Sequence, residues 1–413
     1  MEIKIKENKT TEFGLIPSDW QIKELQDVMT GFFSGATPYR GRPEYYKGQI
    51  NWITSGELNY NIITDTIEKI TEEAVRNTNL KILPKGTFLF AITGLEAEGT
   101  RGSCAITGID ATTNQSCMAL FPFESLDVKY LYHYYVWKGK MLALRYCQGT
   151  KQQSYTGKIA RKLPIILPPT KSEQTAIATA LSDTDALIEN LEKLIAKKRN
   201  IKHGVMQELL KPKSNWKRKR LGDTCEVFGR IGFRGYTIQD IVPEYEGAIS
   251  LSPSNILDGE LNFNKCTFIS WKKYEESPEI KLKVGDIVLV KTASIGKTAL
   301  VKSLPGKTTL NPQIVVLKNI SVNNVFLSYL MGYKYIQDQI KEKVVGGVVP
   351  TLSQEQIAGF QIFLPSREEQ DYIAYFLSLI DNDIETIKRN LNKYTMIKQG
   401  MMQSLLTGKI RLI

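Results

Sequence analysis

The chain has 413 residues, with 54 Lys and Arg against 43 Asp and Glu, which gives a formal net charge of +11. At roughly 100–200 residues per domain, this length predicts two or three domains. No apolar run approaches the ~18 residues that a membrane-spanning helix needs, and the polar segment Met1–Thr11 lacks a signal-peptide core. We therefore expect a cytoplasmic protein. The cationic excess favours an anionic partner such as nucleic acid.

The positive charge is concentrated in one stretch of the chain. Ten Lys or Arg residues and a single acid lie between Lys197 and Arg220. Cations are favourable near a helix end without any partner. The stretch therefore fits either a nucleic-acid contact or a solvated helix face and linker.

The first half of the chain shows strand patterns followed by helix patterns. Short β-rich runs next to turn residues lie at 50–54 and 86–91. A helix is predicted over Val128–Tyr146, and Pro169 with Ser172 marks the start of a much longer helix. This order predicts an α+β fold.

The second half of the chain repeats this order of elements. A β-rich run lies at 285–290, a helix is predicted over Val325–Val344, and a second long helix starts near Pro365 and Ser366. Corresponding globular segments share an outline and differ in side chains, as in 50–58 and 248–255. Two binding domains for different targets would show this difference, and so would drift after duplication.

Residue identities confirm an internal repeat at a constant offset of 196 residues. The segments Pro169–Leu210 and Pro365–Leu406 align without a gap, and such a long period indicates a duplicated domain pair. The repeat divides the chain into globular parts at 1–168 and 214–364 and helical segments at 169–213 and 365–413. Matching pairs include Trp20 with Trp216, Glu173 with Glu369, Asp185 with Asp381, and Gly204 with Gly400.

Both long helices carry an apolar seam with alternating spacings of four and three residues. This pattern is typical of a coiled coil, and each helix could run about 39 residues, or ~58 Å. Each helix is the nearest candidate partner of the other, so we expect an antiparallel pair; the alternative is that each packs separately on its own globular part. The predicted seam residues are Ile177, Leu181, Ile188, Leu191, Ile195, Val205 and Leu209 in the first helix, and Ile373, Leu377, Ile380, Ile384, Ile387, Leu391, Tyr394, Met401 and Leu405 in the second.

Cysteine and histidine usage argues against a metal site. The cysteines, Cys104, Cys117, Cys147, Cys225 and Cys266, are odd in number and contain no C-x-x-C pair, so we expect free, buried thiols. Of the two histidines, His133 lies on a predicted helix and His203 matches Gln399 in the other repeat. We therefore predict no catalytic residue and no metal ligand.

Two segments superficially resemble cofactor motifs. Ser294–Thr298 ends like a P-loop, but Lys291 stands where the first glycine belongs. Asn311–Ile314 differs at its third and fourth positions from the Asn-Pro-Pro-aromatic loop of adenine methyltransferases. Neither segment predicts a cofactor site.

Four motifs in order resemble the specificity subunits of type I restriction–modification systems. Met396–Leu412 (MIKQGMMQSLLTGKIRL) is similar to the C-terminal end of that family, and Ile16–Trp20 (IPSDW) is similar to its opening. Leu163–Pro169 (LPIILPP) before Glu173-Gln174, and Phe363-Leu364-Pro365 before Glu368-Glu369-Gln370, resemble its two entries into the conserved helices. The resemblance covers essentially the whole chain.

This resemblance implies two α+β target recognition domains, at 1–168 and 214–364, separated by two conserved helices. Each domain would recognise one half of a split double-stranded DNA site, and the helices would act as a spacer and dock two methyltransferase subunits. Motor-nuclease subunits would complete the restriction complex. S-adenosylmethionine and ATP are expected on those partners, not on this chain. Half-sites about one DNA turn apart, ~34 Å, fall within the reach of the helices.

Residues that contact DNA are expected in the Gly-rich or polar segments of the two globular parts, because Arg, Lys, Asn and Gln make most base contacts. For each of them, an ordinary surface role is the alternative. The candidates in the first domain are Arg40, Arg42, Lys47, Thr54, Ser55, Arg101, Lys151, Gln152, Gln153 and Tyr155, and those in the second are Arg230, Arg234, Ser252, Ser254, Asn255, Lys291, Ser294 and Lys297.

Two other classes of protein compete with this interpretation. One is a nuclease or methyltransferase with fused recognition domains, which the missing catalytic motifs disfavour. The other is a coiled-coil scaffold without DNA-binding activity. Catalysis by the chain alone would favour the first, and the absence of salt-dependent DNA binding would favour the second.

Overall fold

The computed structural model describes residues 7–230, 235–343 and 350–412. They form two compact units: unit 1 comprises the described parts of Met1–Glu192 and Arg389–Ile413, and unit 2 those of Lys193–Lys388. Each unit therefore holds one globular part and portions of both long helices.

Unit 1 contains both strands and helices, including the last part of the second long helix. Its helices are α1 (Glu72–Asn77), α2 (Val128–Tyr146), α3 (Gly157–Arg161) and the first part of α4 (Lys171–Leu209). Its strands are β1 (Asn8–Thr11), β2 (Gly14–Pro17), β3 (Gln21–Glu24), β4 (Met29–Ser34), β5 (Ile50–Ile53), β6 (Asn61–Ile63), β7 (Glu68–Ile70), β8 (Phe88–Ala91), β9 (Cys104–Thr107), β10 (Ala111–Thr113), β11 (Cys117–Pro122) and β12 (Pro164–Leu167).

Two sheets dominate unit 1. A five-stranded sheet has the order β4-β11-β8-β9-β6, and a three-stranded sheet has the order β10-β5-β7, in which β10 and β5 run parallel. Helix α2 covers the larger sheet, because the rings of Phe88 and Phe90 lie 5.7 and 5.2 Å from that of Tyr135. β12 pairs with β3 just before α4 begins.

Unit 2 repeats this arrangement. Its helices are α5 (Trp271–Glu275), α6 (Asn324–Gly332), α7 (Lys334–Lys343), α8 (Gln354–Ala358) and the first part of α9 (Arg367–Leu405). Its strands are β13 (Lys217–Arg220), β14 (Glu226–Gly229), β15 (Ile241–Val242), β16 (Ala248–Leu251), β17 (Ile256–Leu257), β18 (Glu260–Leu261), β19 (Thr267–Ile269), β20 (Ile287–Val290), β21 (Thr298–Leu300), β22 (Thr308–Leu310), β23 (Ile314–Lys318) and β24 (Gln361–Leu364).

The two main sheets of unit 2 share most of their strand order with those of unit 1, although the first has no counterpart of β6 and the second has the additional edge strand β15. The order β14-β23-β20-β21 matches β4-β11-β8-β9, and β22-β16-β19 matches β10-β5-β7, again with a parallel first pair. The pairing of β13 with β24 matches that of β3 with β12. Trp216 packs edge-to-face on Phe326, with ring centroids 6.3 Å apart.

The long helices run antiparallel within each unit. In unit 1 the first part of α4 meets the last part of α9 and the segment after it: Lys398 forms an ion pair with Asp185, and Arg411 Nη2 donates to Glu173 Oε2 at 2.7 Å. In unit 2 the Nζ atoms of Lys198, Lys202 and Lys213 lie 2.6 Å from the carboxylates of Asp383, Asp381 and Glu369, respectively. The predicted α+β class and antiparallel coiled coil are confirmed.

The predicted seam positions lie on the inner faces of these helices. Each of the sixteen residues named above is buried or partly buried, whereas most positions between them are exposed. Ile177, Leu181, Ile373 and Leu377 are at most 1% exposed and join the cores of the globular parts. The seam of each helix therefore serves both the helix pair and the adjoining domain.

One predicted helix is divided in the structure. The stretch Val325–Val344 contains α6 and α7, which are separated at Tyr333, where the backbone is extended with φ −77° and ψ 147°. The break follows Gly332, a residue of low helix propensity. Val344 lies outside the described residues.

The thiols are free in the structure. Cys104, Cys117 and Cys225 are buried, whereas Cys147 and Cys266 are only partly buried. Burial raises the pKa of the Cys225 thiol to about 12 and raises that of Cys104 further. The expectation of buried thiols thus holds fully for three of the five residues.

Leucines two positions apart on α9 allow a matched test of the seam. Leu377 is fully buried, whereas Leu379 is 45% exposed. We expect Leu377→Ala to lower the free energy of unfolding by about 2–5 kcal/mol, because it opens a cavity, and Leu379→Ala to change it by less than about 0.5 kcal/mol. Denaturant titration of the purified chain measures both. Equal losses would contradict this packing.

His133 provides a test by pH. It is 1% exposed, its Nε2 lies 2.9 Å from Ser182 Oγ, and burial lowers its pKa to about 4. The unfolded chain takes up this proton as pH falls below ~6.5. The free energy of unfolding is therefore unaffected by His133 protonation above that pH. It falls as the pH decreases from ~6.5 towards 4, and the loss due to His133 is about 2 kcal/mol at pH 5.

We expect His133→Gln to flatten the loss of stability between pH 7 and pH 5. His203→Gln is the matched control, because His203 is exposed. Denaturant midpoints across this pH range report the difference. An unchanged slope in His133→Gln would exclude His133 as the titrating group.

Candidate nucleic-acid interface

In unit 1 several strand ends meet at one edge, which we call the strand-end face: residues 34–37, 54–57, 92–101, 113–116 and 148–155. Backbone hydrogen bonds join these segments. The N–H of Asn114 donates to Ile53 O at 2.9 Å, that of Ile92 to Ser116 O at 2.9 Å, and that of Tyr155 to Ile92 O at 2.8 Å. The face therefore combines the ends of both main sheets.

Unit 2 has the same backbone frame. The N–H of Asn311 donates to Leu251 O at 2.9 Å, that of Lys291 to Gln313 O at 2.8 Å, and that of Leu352 to Lys291 O at 2.9 Å. We define the strand-end face of unit 2 as the described residues of 229–236, 252–255, 291–297, 311–313 and 351–354. The frame depends on backbone atoms, so the side chains that it carries can differ between units.

An asparagine turn lies at the centre of each face. Asn114 Oδ1 accepts from the N–H of Ser116 at 3.0 Å, and Asn311 Oδ1 accepts from that of Gln313 at 2.9 Å. Asx turns of this kind fix a tight loop. The frame therefore aligns Ser116 with Gln313.

Sequence reasoning missed polar residues at these turns. Thr37 Oγ1 donates to Gln115 Oε1 at 2.5 Å, and Gln115 is exposed. Gln313 Oε1 accepts from Asn311 Nδ2 at 3.2 Å. The asparagine shared by both repeats, each time next to a polar side chain, was the signal that could have identified them.

Arg40 and Arg42 lie on the loop that follows Ser34 and are held by neighbouring side chains. Arg40 donates to both carboxylate oxygens of Glu68 at 2.5 and 2.7 Å, and its guanidinium lies 4.2 Å from the centre of the Tyr46 ring. The Glu68 carboxylate raises the pKa of Arg40. Arg42 Nη1 donates to Tyr45 Oη at 2.9 Å. Lys47, on the same loop, is exposed.

Two further loops of unit 1 support one another. Arg101 donates to the carbonyls of Leu95 and Glu96 at 2.8 Å each, and the N–H of Gln153 donates to Glu96 Oε2 at 2.8 Å. Lys151 and Gln152 are exposed at the tip of the adjoining turn. The structure thus makes Arg101 and Gln153 loop supports and leaves Lys151 and Gln152 facing solvent.

The segments after β5 and β16 form matching capped turns. Thr54 Oγ1 donates to Glu57 Oε2 at 2.9 Å, and Ser252 Oγ donates to Asn255 Oδ1 at 2.9 Å. Ser55 is partly exposed and Ser254 is exposed. Asn255 is 3% exposed, because its amide also donates to Asn262 O.

Arg230 lies under the strand-end face of unit 2. It is 3% exposed, its Nε donates to Leu310 O at 3.1 Å, and its Nη2 donates to Thr309 Oγ1 at 3.3 Å. Burial lowers its pKa. Arg234 lies outside the described residues.

The turn between β20 and β21 carries the remaining candidates. Lys291 is partly exposed and burial lowers its pKa, while Ser294 and Lys297 are exposed. Gly296 has φ +91°, and a Cβ there would lie 2.6 Å from Gln337 Oε1. Thr298 begins a strand, whereas a P-loop leads into a helix. This turn is therefore a surface loop and no phosphate cradle.

Three of the predicted contacts need correction. Tyr155, Asn255 and Arg230 are each 3% exposed, so their side chains are not at the surface. Tyr155 packs beside Phe90, with rings 6.1 Å apart. We interpret these three residues as supports beneath the faces. For the exposed candidates, contact with DNA stays a prediction.

Within the described ranges, no group of three His, Cys, Asp or Glu side chains is placed to hold a metal ion. Likewise, none of the helices among these residues is long and apolar enough to cross a membrane.

Comparisons with known proteins agree with this architecture. The family model described as "Type I restriction modification DNA specificity domain" matches residues 17–198 and again 213–394. The type I restriction enzyme MjaIX specificity subunit of Methanocaldococcus jannaschii is 27% identical, over 98% of this chain and 96% of the relative.

Two solved structures share the fold. A type I restriction–modification S subunit from M. genitalium superposes with a TM-score of 0.60 at 17% identity, over 94% of this chain and 96% of that one. A chain from a study of complex assembly and conformational transition in a type I system gives 0.54 at 14% identity, over 96% and 99%. The chain therefore belongs to the type I restriction–modification DNA specificity family and is a non-catalytic subunit that recognises DNA sequence.

Proposed function

We propose that each strand-end face recognises one half of a bipartite DNA site, and that the two long helices fix the length of the unspecified gap. The observation that carries this proposal is the backbone frame that recurs in both units with different side chains. Corresponding positions carry Ser116 and Gln313, or Ile92 and Lys291. A common scaffold with unlike side chains suits recognition of two different sequences.

The same proposal assigns the outward faces of the helices to two methyltransferase subunits, with motor-nuclease subunits joining them. On α9, Tyr372 and Tyr375 are 60% and 64% exposed, and Tyr372 stacks on Phe376 with centroids 6.3 Å apart. Exposed aromatic residues are enriched at protein interfaces. This feature of unit 2 supports docking of a partner on the helices.

We assign the binding of S-adenosylmethionine and ATP to the partner subunits and assign no cofactor to this chain. We also place the complex in the cytoplasm. The degenerate P-loop at Ser294–Thr298, which enters a strand, supports this assignment for ATP. Incubation of the purified chain alone with DNA and S-adenosylmethionine, and separately with magnesium, should give neither methylation nor cleavage.

Methylome sequencing tests the division of the site between the units. Cells that express the chain with its methyltransferase subunit should carry methylation at one bipartite motif, and omission of the chain should abolish it. We expect Lys151→Ala with Gln152→Ala to relax one half-sequence only, and Lys291→Ala with Ser294→Ala to relax the other only. A base contact contributes about 1–3 kcal/mol of discrimination. Changes in both half-sequences from variants of one unit would contradict the proposal.

Substitutions of Lys297 and Arg230 can distinguish a residue that contacts DNA from one that supports the strand-end face of unit 2. We expect Lys297→Ala to weaken DNA binding by the complex and to lower its salt dependence by about one phosphate contact, with unchanged unfolding. We expect Arg230→Ala to destabilise the chain by about 1–3 kcal/mol, because it strands the buried Leu310 carbonyl. Salt titrations of binding and denaturant titrations measure the two effects. Destabilisation by Lys297→Ala would contradict its surface role.

A further inference from the structure

Each unit contains a cluster of four side chains that joins three elements. In unit 2, Lys202 of α4 and Tyr329 of α6 both bind Asp381 of α9, at 2.6 Å each, and Tyr329 Oη lies 3.5 Å from Ser378 Oγ. Lys202 Nζ also lies 5.1 Å from the centre of the Tyr329 ring. The cluster therefore ties the globular part of unit 2 to both long helices at one point.

Unit 1 has the counterpart at an offset of 196 residues for every member. Lys398 of α9 pairs with Asp185 of α4, and His133 of α2 takes the place of Tyr329. His133 Nε2 lies 2.9 Å from Ser182 Oγ, and its Nδ1 lies 3.9 Å from Asp185 Oδ2. The two ion pairs are therefore equivalent in the repeat: α4 provides the lysine in unit 2 and the aspartate in unit 1, and α9 provides the other member each time.

These pairs are partly shielded from water. The side chains of Lys202 and Asp381 are 22% and 20% exposed, and those of Lys398 and Asp185 are 21% and 32% exposed. A half-buried charge that loses its partner is costly, whereas exposed pairs contribute little. The clusters can therefore discriminate between helix alignments, although the apolar seam repeats every seven residues.

A slip of one heptad breaks the pairing. In one direction the lysines would meet Ala374 and Ala178. In the other direction Lys398 would meet Glu192, but Lys202 would meet Lys388, so only one of the two ion pairs could form. Only the observed alignment gives both lysines an aspartate and both aspartates a domain side chain. A slip of seven residues moves a helix by ~10 Å, or about three base pairs of DNA.

We propose that the clusters Lys202–Asp381–Tyr329–Ser378 and Lys398–Asp185–His133–Ser182 are positioning residues that fix the register of the helix pair and hold each recognition domain at that register. They set the gap between half-sites and contact no base. The proposal rests on the proposed function for its link to gap length; the pairing itself does not depend on it.

Charge reversal provides the test in the full chain with its methyltransferase subunit. Lys202→Asp and Asp381→Lys each place like charges together. We expect each single variant to lower methylation at least tenfold or to broaden the gap length, with both half-sequences unchanged. The matched double variant, Lys202→Asp with Asp381→Lys, should restore the level and the single gap length.

The unmatched double variant, Lys202→Asp with Asp185→Lys, has the same change in composition but leaves both lysine–aspartate pairs broken. This variant should recover neither the methylation level nor the single gap length. Equal recovery in the matched and unmatched variants, or single reversals without effect on level and gap, would overturn the proposal. So would an altered half-sequence in any of these variants.

Two further measurements separate the outcomes. If reversal prevents folding, Tyr329→Phe keeps the ring and removes the 2.6 Å hydrogen bond to Asp381; it should broaden the gap without changing the half-sequences, and an unchanged gap would count against the proposal. If the unaltered chain directs no bipartite methylation, the proposed function fails. The thermal midpoints then still decide whether Lys202 pairs with Asp381: recovery in the matched variant alone supports the pairing, and equal midpoints in both double variants contradict it.

Discussion

The fold depends on burial of the apolar seams of two long amphipathic helices. Neither helix can shield its seam from water without packing against another element. Helices α4 and α9 each run 39 residues, and each unit pairs a portion of one with a portion of the other. Their buried ends, around Leu181 and Leu377, also enter the cores of the globular parts. Because the same residues serve both interfaces, the helix pair and the domain in each unit are expected to fold together.

The strand-end faces show how one scaffold can carry two specificities. The bonds that shape each face join backbone atoms and one asparagine side chain, so they place few demands on the other residues. The buried Arg230 and the partly exposed Arg101 then hold the loops of their own units in place. Substitution of the exposed residues can change recognition without loss of the fold, since surface substitutions seldom cost much stability.

The repeat also shows how each long helix is attached at the end where its neighbouring globular part begins. In unit 2, Lys213 binds Glu369 at the covalent connection between the repeats. In unit 1 the equivalent carboxylate, Glu173, binds Arg411, whose guanidinium also contacts Asp19 at 3.1 Å. Gly408, with φ +69°, lets the C-terminal segment approach Pro17, because a Cβ there would lie 2.5 Å from Pro17 Cγ. In unit 2 the polypeptide chain itself connects the end of α4 to the next globular part. In unit 1 the ion pair between Arg411 and Asp19 joins the segment after α9 to the start of the globular part.

The sequence by itself determined the duplication, the α+β class, the helix seam and the family, because identities at a fixed offset and apolar periodicity are local properties of the chain. Only the tertiary structure decided which polar residues remain exposed: Tyr155 and Arg230 are buried by segments distant in sequence, and Asn255 is buried in the turn that it closes with Asn262. It also decided the break at Tyr333, the alignment of Ser116 with Gln313, and the paired clusters around Asp185 and Asp381. Burial and hydrogen-bond partners arise from long-range contacts, which a linear pattern does not record.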